Sequence, residues 1–318
     1  MRYLLTLILV VSKLVFSQGC SDAGFCTLGS LKPNQNYNKK SLISVKSIEV
    51  SQYFGMVDFK KNNQLQFYDY FLSYIADLSI GVGQRNAFQF KLPYNLTLGR
   101  LANTQGLGDV SLSWTRLVYA NTKSKISIVL GAKLPTSFAN IRQNESQRPL
   151  PMYYQPSLGT FDLVFGTSWQ TKNWLFATGV QLPLVQNIQN QFVWTPWNAT
   201  QDSLFARTYP RSHSLKRGND LMLRVEKNFR FTNWNVFLGV LPILRLNEDE
   251  FFNPTTQQFE TVKGSSGLAT TLLSGMGYRI RTHSSIKALF GYRVTKRDFN
   301  PDGLSRIFVT TLGYEYLF

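Results

Sequence analysis

The chain is built from repeated segments in which apolar and polar residues alternate. The alternation predicts about twelve β-strands, near residues 42–56, 64–80, 86–98, 106–119, 124–135, 158–170, 173–186, 219–230, 233–246, 266–281, 284–296 and 305–318. Most of these segments exceed the roughly 9 to 11 residues that a tilted membrane-spanning strand needs. Successive side chains of a strand point to opposite faces, so one face can meet lipid while the other lines a lumen. We therefore predict an all-β fold, a transmembrane antiparallel up-and-down β-barrel with both termini on the periplasmic side.

The connections between the predicted strands alternate in length. Short connections lie at 82–85, 120–123, 171–172, 231–232 and 282–283, and long ones at 99–105, 136–157, 187–218, 247–265 and 297–304; the connection at 60–63 is also brief. Bacterial outer-membrane barrels have tight periplasmic turns and longer outer loops. The alternation therefore predicts the outer membrane of a Gram-negative bacterium and places the long loops outside the cell.

The last predicted strand ends in aromatic residues. Phe308, Leu312 and Tyr314 share one face with Tyr316 and Phe318. This ending resembles the closing strand of outer-membrane barrels, so Tyr316 and Phe318 are predicted to form the signal that the barrel-assembly machinery reads. A soluble edge strand is the alternative.

The first 40 residues are predicted to lie outside the barrel, which spans 41–318. Residues 1–17 combine Arg2, an apolar run and a small-residue cleavage site, as in a secretory signal peptide. A lipoprotein anchored at Cys20 is the alternative. Residues 18–40 form a predicted periplasmic segment in which Cys20 and Cys26 close a disulfide loop, with a metal or redox pair as the alternative. This segment is expected to plug the lumen, to dock a periplasmic or lipoprotein partner, or to be a disordered leader.

The composition supports a barrel and argues against nucleic acid as a partner. Aromatic residues make up 14% of the chain, charged residues 16% and apolar residues 43%. Loss of Arg2 and Lys13 with the signal peptide lowers the formal net charge from +16 to +14. No basic helix or zinc pattern accompanies this charge. The excess is expected to face anionic lipid head groups or to make the lumen attractive to anions.

Within each strand, one set of alternate positions collects the charged residues. These are predicted to line the lumen, because charge is costly against hydrocarbon. They are Asp69, Lys91, Asp109, Lys133, Asp162, Asp220, Arg224, Glu226, Arg245, Arg279, Lys287, Arg293 and Glu315. The predicted selectivity zone in the outer half comprises Asp69, Asp109, Lys133, Asp162, Arg224, Arg245 and Arg293. A salt-bridged plug that keeps a narrow barrel rigid is the alternative. On the other face, Trp169, Trp174, Phe229 and Trp234 are predicted to form an interfacial girdle.

Three motifs occur in succession along the third to fifth predicted strands. They are residues 90–94 (FKLPY), 106–110 (GLGDV) and 130–136 (LGAKLPT). Gly106 and Gly108 are expected to turn the chain from a loop into a strand, and Asp109 to cap that turn or pair with Lys133. Over residues 65–137 this succession resembles the outer-membrane barrel family named for the meta-pathway of phenol degradation. That family resembles the fatty-acid and aromatic-hydrocarbon channels, so the resemblance implies a passive channel for small, often hydrophobic molecules.

Two functions remain open, and catalysis is not expected. The first is transport through the barrel. The second is that of an accessory or structural barrel subunit of an outer-membrane assembly or secretion complex, binding other outer-membrane proteins through its loops. Open loops would favour transport, and packed loops with no continuous channel would favour the accessory role. The loop aromatics would be costly to leave bare; they are Tyr153, Tyr154, Phe192, Trp194, Trp197, Phe251 and Phe252. A hydrolase would need a general base on the strand wall, and His213 and His283 are the only histidines. Neither is predicted to lie on a strand, and the sequence contains no cofactor or metal motif.

Overall fold

The computed structural model describes residues 43–61, 65–186 and 188–318. The predicted signal peptide, the segment 18–40 and the Cys20–Cys26 disulfide lie outside the described residues. Within those ranges, no helix is both long enough and apolar enough to cross a membrane.

The described residues form fifteen strands. In chain order they are β1 (Ile43–Lys61), β2 (Leu65–Val82), β3 (Asn86–Leu98), β4 (Asn103–Leu107), β5 (Val110–Ala120), β6 (Ser124–Leu134), β7 (Thr160–Thr171), β8 (Trp174–Gln186), β9 (Asp220–Arg230), β10 (Trp234–Arg245), β11 (Glu250–Asn253), β12 (Gln258–Thr261), β13 (Gly267–Arg281), β14 (Ser284–Arg293) and β15 (Phe308–Leu317). A short helix α1 (Ser203–Ala206) and two 3₁₀ turns, Met152–Tyr154 and Thr195–Trp197, lie in the loops.

The strands close into a twelve-stranded antiparallel barrel, as predicted. Strand β1 pairs with β2 on one side and with β15 on the other, so the first and last strands meet. The wall runs in chain order, with β4 and β5 together forming one wall position and β11 and β12 forming a separate hairpin. Closure leaves no unpaired wall edge, which is the condition for a sheet to cross a membrane.

The predicted fourth strand, 106–119, is wrong in detail because it is divided between β4 and β5. Residues 94–98 of β3 pair with β4, whereas residues 86–91 pair with β5. The break falls at Gly108, whose amide donates to the carbonyl of Pro93 at 2.9 Å. Gly106 therefore lies inside a strand and does not turn the chain, and the predicted loop 99–105 shrinks to 99–102. The alternation also missed the β11–β12 hairpin, because that hairpin belongs to a loop and not to the wall.

The outer face of the wall is apolar and carries the predicted aromatic girdle. Trp169, Trp174, Phe229 and Trp234 are each at least 40% exposed and lie beside the short turns. The rings of Trp169 and Trp174 stack on Phe176 with centroids 5.3 and 5.8 Å apart. Exposed aromatic rings at this level suit the boundary between head groups and hydrocarbon.

The inner face is less polar than the alternation suggested. Val129, Val164, Ala177 and Met222 form one buried cluster, and Phe237, Leu241 and Leu273 form another. Ile243 packs against both clusters, so the two join into an apolar band on the wall from β6 to β13. Gly275 makes room for this band, because a Cβ atom there would overlap the ring of Phe237.

Candidate functional site

The outer end of the lumen is covered by the outer loops. In chain order after the short first loop, the second to sixth outer loops are residues 99–102, 135–159, 188–219, 246–266 and 294–307. Their contacts with the wall are of two kinds. An aromatic cluster joins the third and fourth loops to β1 and β2, and an ionic network joins the fourth, fifth and sixth loops to β7, β9 and β10.

The aromatic cluster buries most of the loop aromatics that the sequence singled out. Tyr153, Tyr154, Phe192 and Trp197 are at most 5% exposed, and they pack against the inward-facing Val57, Phe59 and Phe71 of the wall. The ring of Phe59 lies 5.2 Å from that of Tyr153 and 4.5 Å from that of Tyr209. The indole of Trp197 donates to the carbonyl of Pro149 at 3.1 Å, which ties the fourth loop to the third. The loops are therefore packed and not open.

A carboxylate on the wall holds this cluster in place. Asp69 of β2 is fully buried and accepts hydrogen bonds from the Tyr209 hydroxyl at 2.6 Å, the Tyr154 hydroxyl at 3.2 Å and the Arg100 amide at 3.0 Å. The two tyrosine hydroxyl oxygens are 2.8 Å apart. We call Asp69, Tyr154 and Tyr209 the carboxylate latch. A Cβ atom on Gly99 would overlap both Tyr154 and Asp69, so the second loop must supply a glycine there.

The latch hydroxyls remain protonated donors. Burial raises the pKa of Tyr154 and of Tyr209 well above the usual range, and the neighbouring Asp69 carboxylate raises both further. Asp69 forms no ion pair with any residue in the described ranges. Its hydrogen bonds all come from neutral donors, which hold it only while the loops are docked, and the guanidinium of Arg306 adds attraction at longer range.

The ionic network lies across the lumen mouth. Its members are Asp162, Arg217, Asp220, Arg245, Asp249, Arg297 and Asp302, all at most 6% exposed. Arg245 of β10 reaches Asp220 of β9 at 2.8 Å, Asp249 of the fifth loop at 2.9 Å and Asp302 of the sixth loop at 2.8 Å. Arg217 of the fourth loop reaches Asp162 of β7 at 3.0 Å. Three loops are thus tied to three wall strands by buried ion pairs.

Asp302 lies at the centre of this network. Burial raises the pKa of Asp302, but the guanidinium groups of Arg245, Arg297 and Arg217 outweigh burial and hold its pKa well below the usual range. The carboxylate is therefore ionised throughout the physiological pH range, and removing it would leave buried arginines short of a partner.

The predicted selectivity residues divide between these structures. Asp69 belongs to the latch, and Asp162 and Arg245 belong to the ionic network. The predicted pair of Asp109 and Lys133 is confirmed at 3.2 Å. Asp109 also accepts a hydrogen bond from the Leu158 amide at 3.0 Å, which fixes the end of the third loop.

Two further predicted residues lie apart from these pairs. Arg224 lies deeper in the lumen, where it pairs with Glu226. Arg293 of β14 donates to the Ser305 hydroxyl of the sixth loop. Arg217, Tyr209, Asp249 and Asp302 were missed, because loop residues follow no strand period and nothing in the sequence pointed to them.

The two histidines occupy separate places. His283 lies in an exposed periplasmic turn, with its Nδ1 atom 3.0 Å from the carbonyl of Leu317. His213 lies in the fourth loop with its ring 5.6 Å from that of Phe252, and burial lowers its pKa.

A small cavity of about 120 Å³ lies beneath the loop cover. Tyr53, Phe71 and Pro93 line it from the wall, and Met152 and Tyr153 line it from the third loop. Leu72 and Leu96 also border it, although they pair across β2 and β3 at positions of outward parity. The cavity therefore reaches the wall next to the break between β4 and β5.

No family model matches the chain, and no curated protein matches it. Among solved structures, the chain is similar to an outer membrane channel from Pseudomonas putida F1, with 11% identity, a TM-score of 0.57 and coverage of 90% of this chain and 100% of that one. The NanC porin is less similar, with 8% identity, a TM-score of 0.45 and coverage of 85% of this chain and 100% of that one. The CymD monoaromatic hydrocarbon channel has 11% identity, a TM-score of 0.42 and coverage of 95% of this chain and 98% of that one.

The fold and the first of these likenesses define the class of protein. The chain is a twelve-stranded transmembrane β-barrel of the outer-membrane type. At 11% identity the likeness shows only the fold. Any proposal about a solute must rest on the residues of this chain's own lumen.

Proposed function

We propose that the chain is a passive outer-membrane channel for small molecules with apolar character, in a closed conformation. The observation that carries this proposal is the cavity beneath the loop cover, whose wall side is lined by Tyr53, Phe71 and Pro93. Lys91, Asp109, Lys133 and Arg306 also border the cavity, so its mixed lining suits a small molecule that combines an apolar part with a polar group. The sequence motifs support the finer assignment to the barrel family named for the meta-pathway of phenol degradation.

The state of the lumen charges supports a solute without net charge. Lys133 pairs with Asp109, Arg224 with Glu226, and Lys287 with both Glu49 and Glu315. Charges neutralised in this way leave little net field to attract ions. The apolar band around Ile243 below them offers a further surface to an apolar solute.

Uptake by intact cells tests this proposal. Cells that express the barrel would be compared with cells that lack it for entry of N-phenyl-1-naphthylamine, a hydrophobic probe that an intact lipopolysaccharide layer excludes. We expect faster entry with the wild-type chain and a further increase for Tyr154→Phe/Tyr209→Phe, which releases the latch. The matched control is Tyr70→Phe/Tyr74→Phe, because both residues are exposed on the lipid face. Equal entry in all four strains would refute a channel for hydrophobic solutes.

A second candidate function rests on the packed loops. Loops tied to the wall by the aromatic cluster and the ionic network favour a rigid accessory barrel whose outer surface binds other outer-membrane proteins. Gentle detergent extraction of the tagged chain from native membrane, followed by mass spectrometry, tests this candidate. Recovery with a stoichiometric set of outer-membrane proteins would favour it, and recovery alone would favour the channel. We also propose segment 18–40 as the contact for a periplasmic partner or as a lumen plug, and deleting it in the same experiment separates these roles.

A further inference from the structure

The periplasmic end of the barrel carries a strong excess of positive charge. The five short turns and their flanking residues, 82–86, 116–125, 169–174, 227–234 and 278–283, contain nine Lys or Arg residues and no Asp or Glu. We call these residues the periplasmic cation ring: Arg85, Arg116, Lys123, Lys125, Lys172, Lys227, Arg230, Arg279 and Arg281. Arg279 was predicted to line the lumen, but it is exposed at the rim.

The ring is not a simple consequence of a basic chain. The second to sixth outer loops contain eleven Lys or Arg residues but also eight Asp or Glu residues. At least five of those eleven cations form ion pairs with carboxylates, such as Arg100 with Asp202 and Arg211 with Glu260. No member of the periplasmic cation ring pairs with a carboxylate in the described part of the chain.

The ring lies at the level of the aromatic girdle. The Nζ atom of Lys227 is 4.5 Å from the centre of the Trp174 ring, and Arg230 follows the girdle residue Phe229. The girdle marks the depth at which lipid head groups meet the hydrocarbon. Unpaired cations at this depth are placed to meet the phosphates of the inner leaflet.

The side chains of two ring members point in a direction that favours lipid over a periplasmic protein as the binding partner of the ring. Arg116 is exposed and adjacent to Thr115, which is 1% exposed and faces inward. Lys227 lies between the buried, inward-facing Glu226 and Asn228. Both side chains therefore start from the lipid side of the wall, where a lipid phosphate is within reach and a soluble partner is not.

We infer that the periplasmic cation ring is a binding surface for the phosphate head groups of anionic phospholipids in the inner leaflet. Lys and Arg near a charged membrane surface each contribute attraction that salt screens over about 10 Å at 0.1 M ionic strength. The lipid annulus of this barrel is therefore expected to be enriched in anionic lipid at its periplasmic side.

Tryptophan fluorescence measures this enrichment directly. Trp169, Trp174 and Trp234 are exposed in the girdle beside the ring, so a brominated lipid that lies against them quenches their emission. The full chain would be reconstituted into vesicles that mix phosphatidylethanolamine with brominated phosphatidylglycerol, and then with the bromine on the other lipid. We expect a preference for phosphatidylglycerol of about twofold or more at low salt, with loss of the preference at about 0.5 M salt.

Two triple variants separate the ring from net charge. Arg85→Gln/Lys172→Gln/Arg281→Gln removes three ring cations and should lower the preference toward equality. Arg148→Gln/Arg207→Gln/Lys263→Gln removes the same charge from the outer loops and should leave the preference unchanged. A wild-type barrel without a preference would overturn the inference, as would an equal loss in both variants. Specific capture of an acidic periplasmic protein by a ring that shows no lipid preference would overturn it in favour of a protein partner.

Discussion

The carboxylate latch predicts that a single hydroxyl controls how often the fourth loop leaves the barrel. Tyr209→Phe removes the hydroxyl that donates to Asp69 at 2.6 Å but keeps the ring that packs on Phe59. A hydrogen bond to a buried charged group contributes about 1.5 to 3 kcal/mol. Since each 1.4 kcal/mol is a factor of ten, the open population of the loop should rise about 10-fold to 100-fold.

Hydrogen exchange of the loop amides measures this change. The Ser212 amide donates to the carbonyl of Phe192 at 3.2 Å, and the Ser214 amide donates to that of Asn190 at 2.8 Å. Both bonds lie within the fourth loop, so their protection reports loop opening. We expect protection at these two amides to fall by the factor given above in Tyr209→Phe.

The wall strands and a second tyrosine provide the controls. Amides of β7 and β8 should keep their protection, because the wall hydrogen bonds do not depend on the latch. Tyr74→Phe removes a hydroxyl from the lipid face and should change neither set of amides. Unchanged protection at Ser212 and Ser214 would refute the latch, and an equal fall in β7 and β8 would show general destabilisation.

Three further predictions concern the ionic network and the closing strand. Asp302→Asn should weaken the anchoring of the sixth loop by about 3 kcal/mol, because three buried arginines lose a partner. The control Asp298→Asn should have little effect, and hydrogen exchange of the loop amides compares the two variants. The pKa of Asp302 is lower in the folded state than in the unfolded state. Its contribution to the anchoring of the sixth loop is therefore complete above the unfolded-state pKa and is lost as pH falls through the folded-state pKa. Pepsin should therefore begin to cut the sixth loop only below about pH 4, and cutting already near pH 5 would contradict this. Phe318→Asp should block insertion into the membrane, which is seen as loss of the heat-modifiable band on gels. The control Phe138→Asp, in the third loop, should insert normally. Normal insertion of both variants would count against the terminal signal.

The wall could be predicted from the sequence because a membrane imposes one rule on every strand. Outward positions must suit lipid, so the period of two survives from β1 to β15 and gives strand number, direction and the girdle around Trp169 and Trp174. The same rule says nothing about how far a strand continues above the membrane. The prediction therefore missed β4 and the division at Gly108.

The loop cover could not be predicted, because its contacts join residues that are distant in sequence. Tyr209 and Asp69 are 140 residues apart, and no period relates them. The alternation identified Asp69, Asp162 and Arg245 as inward-facing charges but not their partners, which lie in loops. Burial of aromatic loop residues could be expected from the cost of exposing them, whereas their position over Phe59 depends on loop geometry.

The two attachments of the loop cover differ in kind, and this difference determines where the barrel should open. On the side of the ionic network, Arg245 alone bridges two loops to the wall, and separating them would leave several buried charges unpaired. On the side of the latch, the hydrogen bonds to Asp69 come from neutral groups and the ring contacts are apolar, while Arg306 acts on it only at longer range. Undocking the loops there exposes one carboxylate that water can solvate. Opening should therefore begin above β1 and β2, over the cavity lined by Phe71 and Tyr153. Hydrogen exchange in the wild-type chain tests this order, because the amides of Ser212 and Ser214 should exchange before that of Gly218, which donates to Asp249 of the network at 2.8 Å. Exchange in the opposite order would place the moving part of the cover on the other side of the lumen.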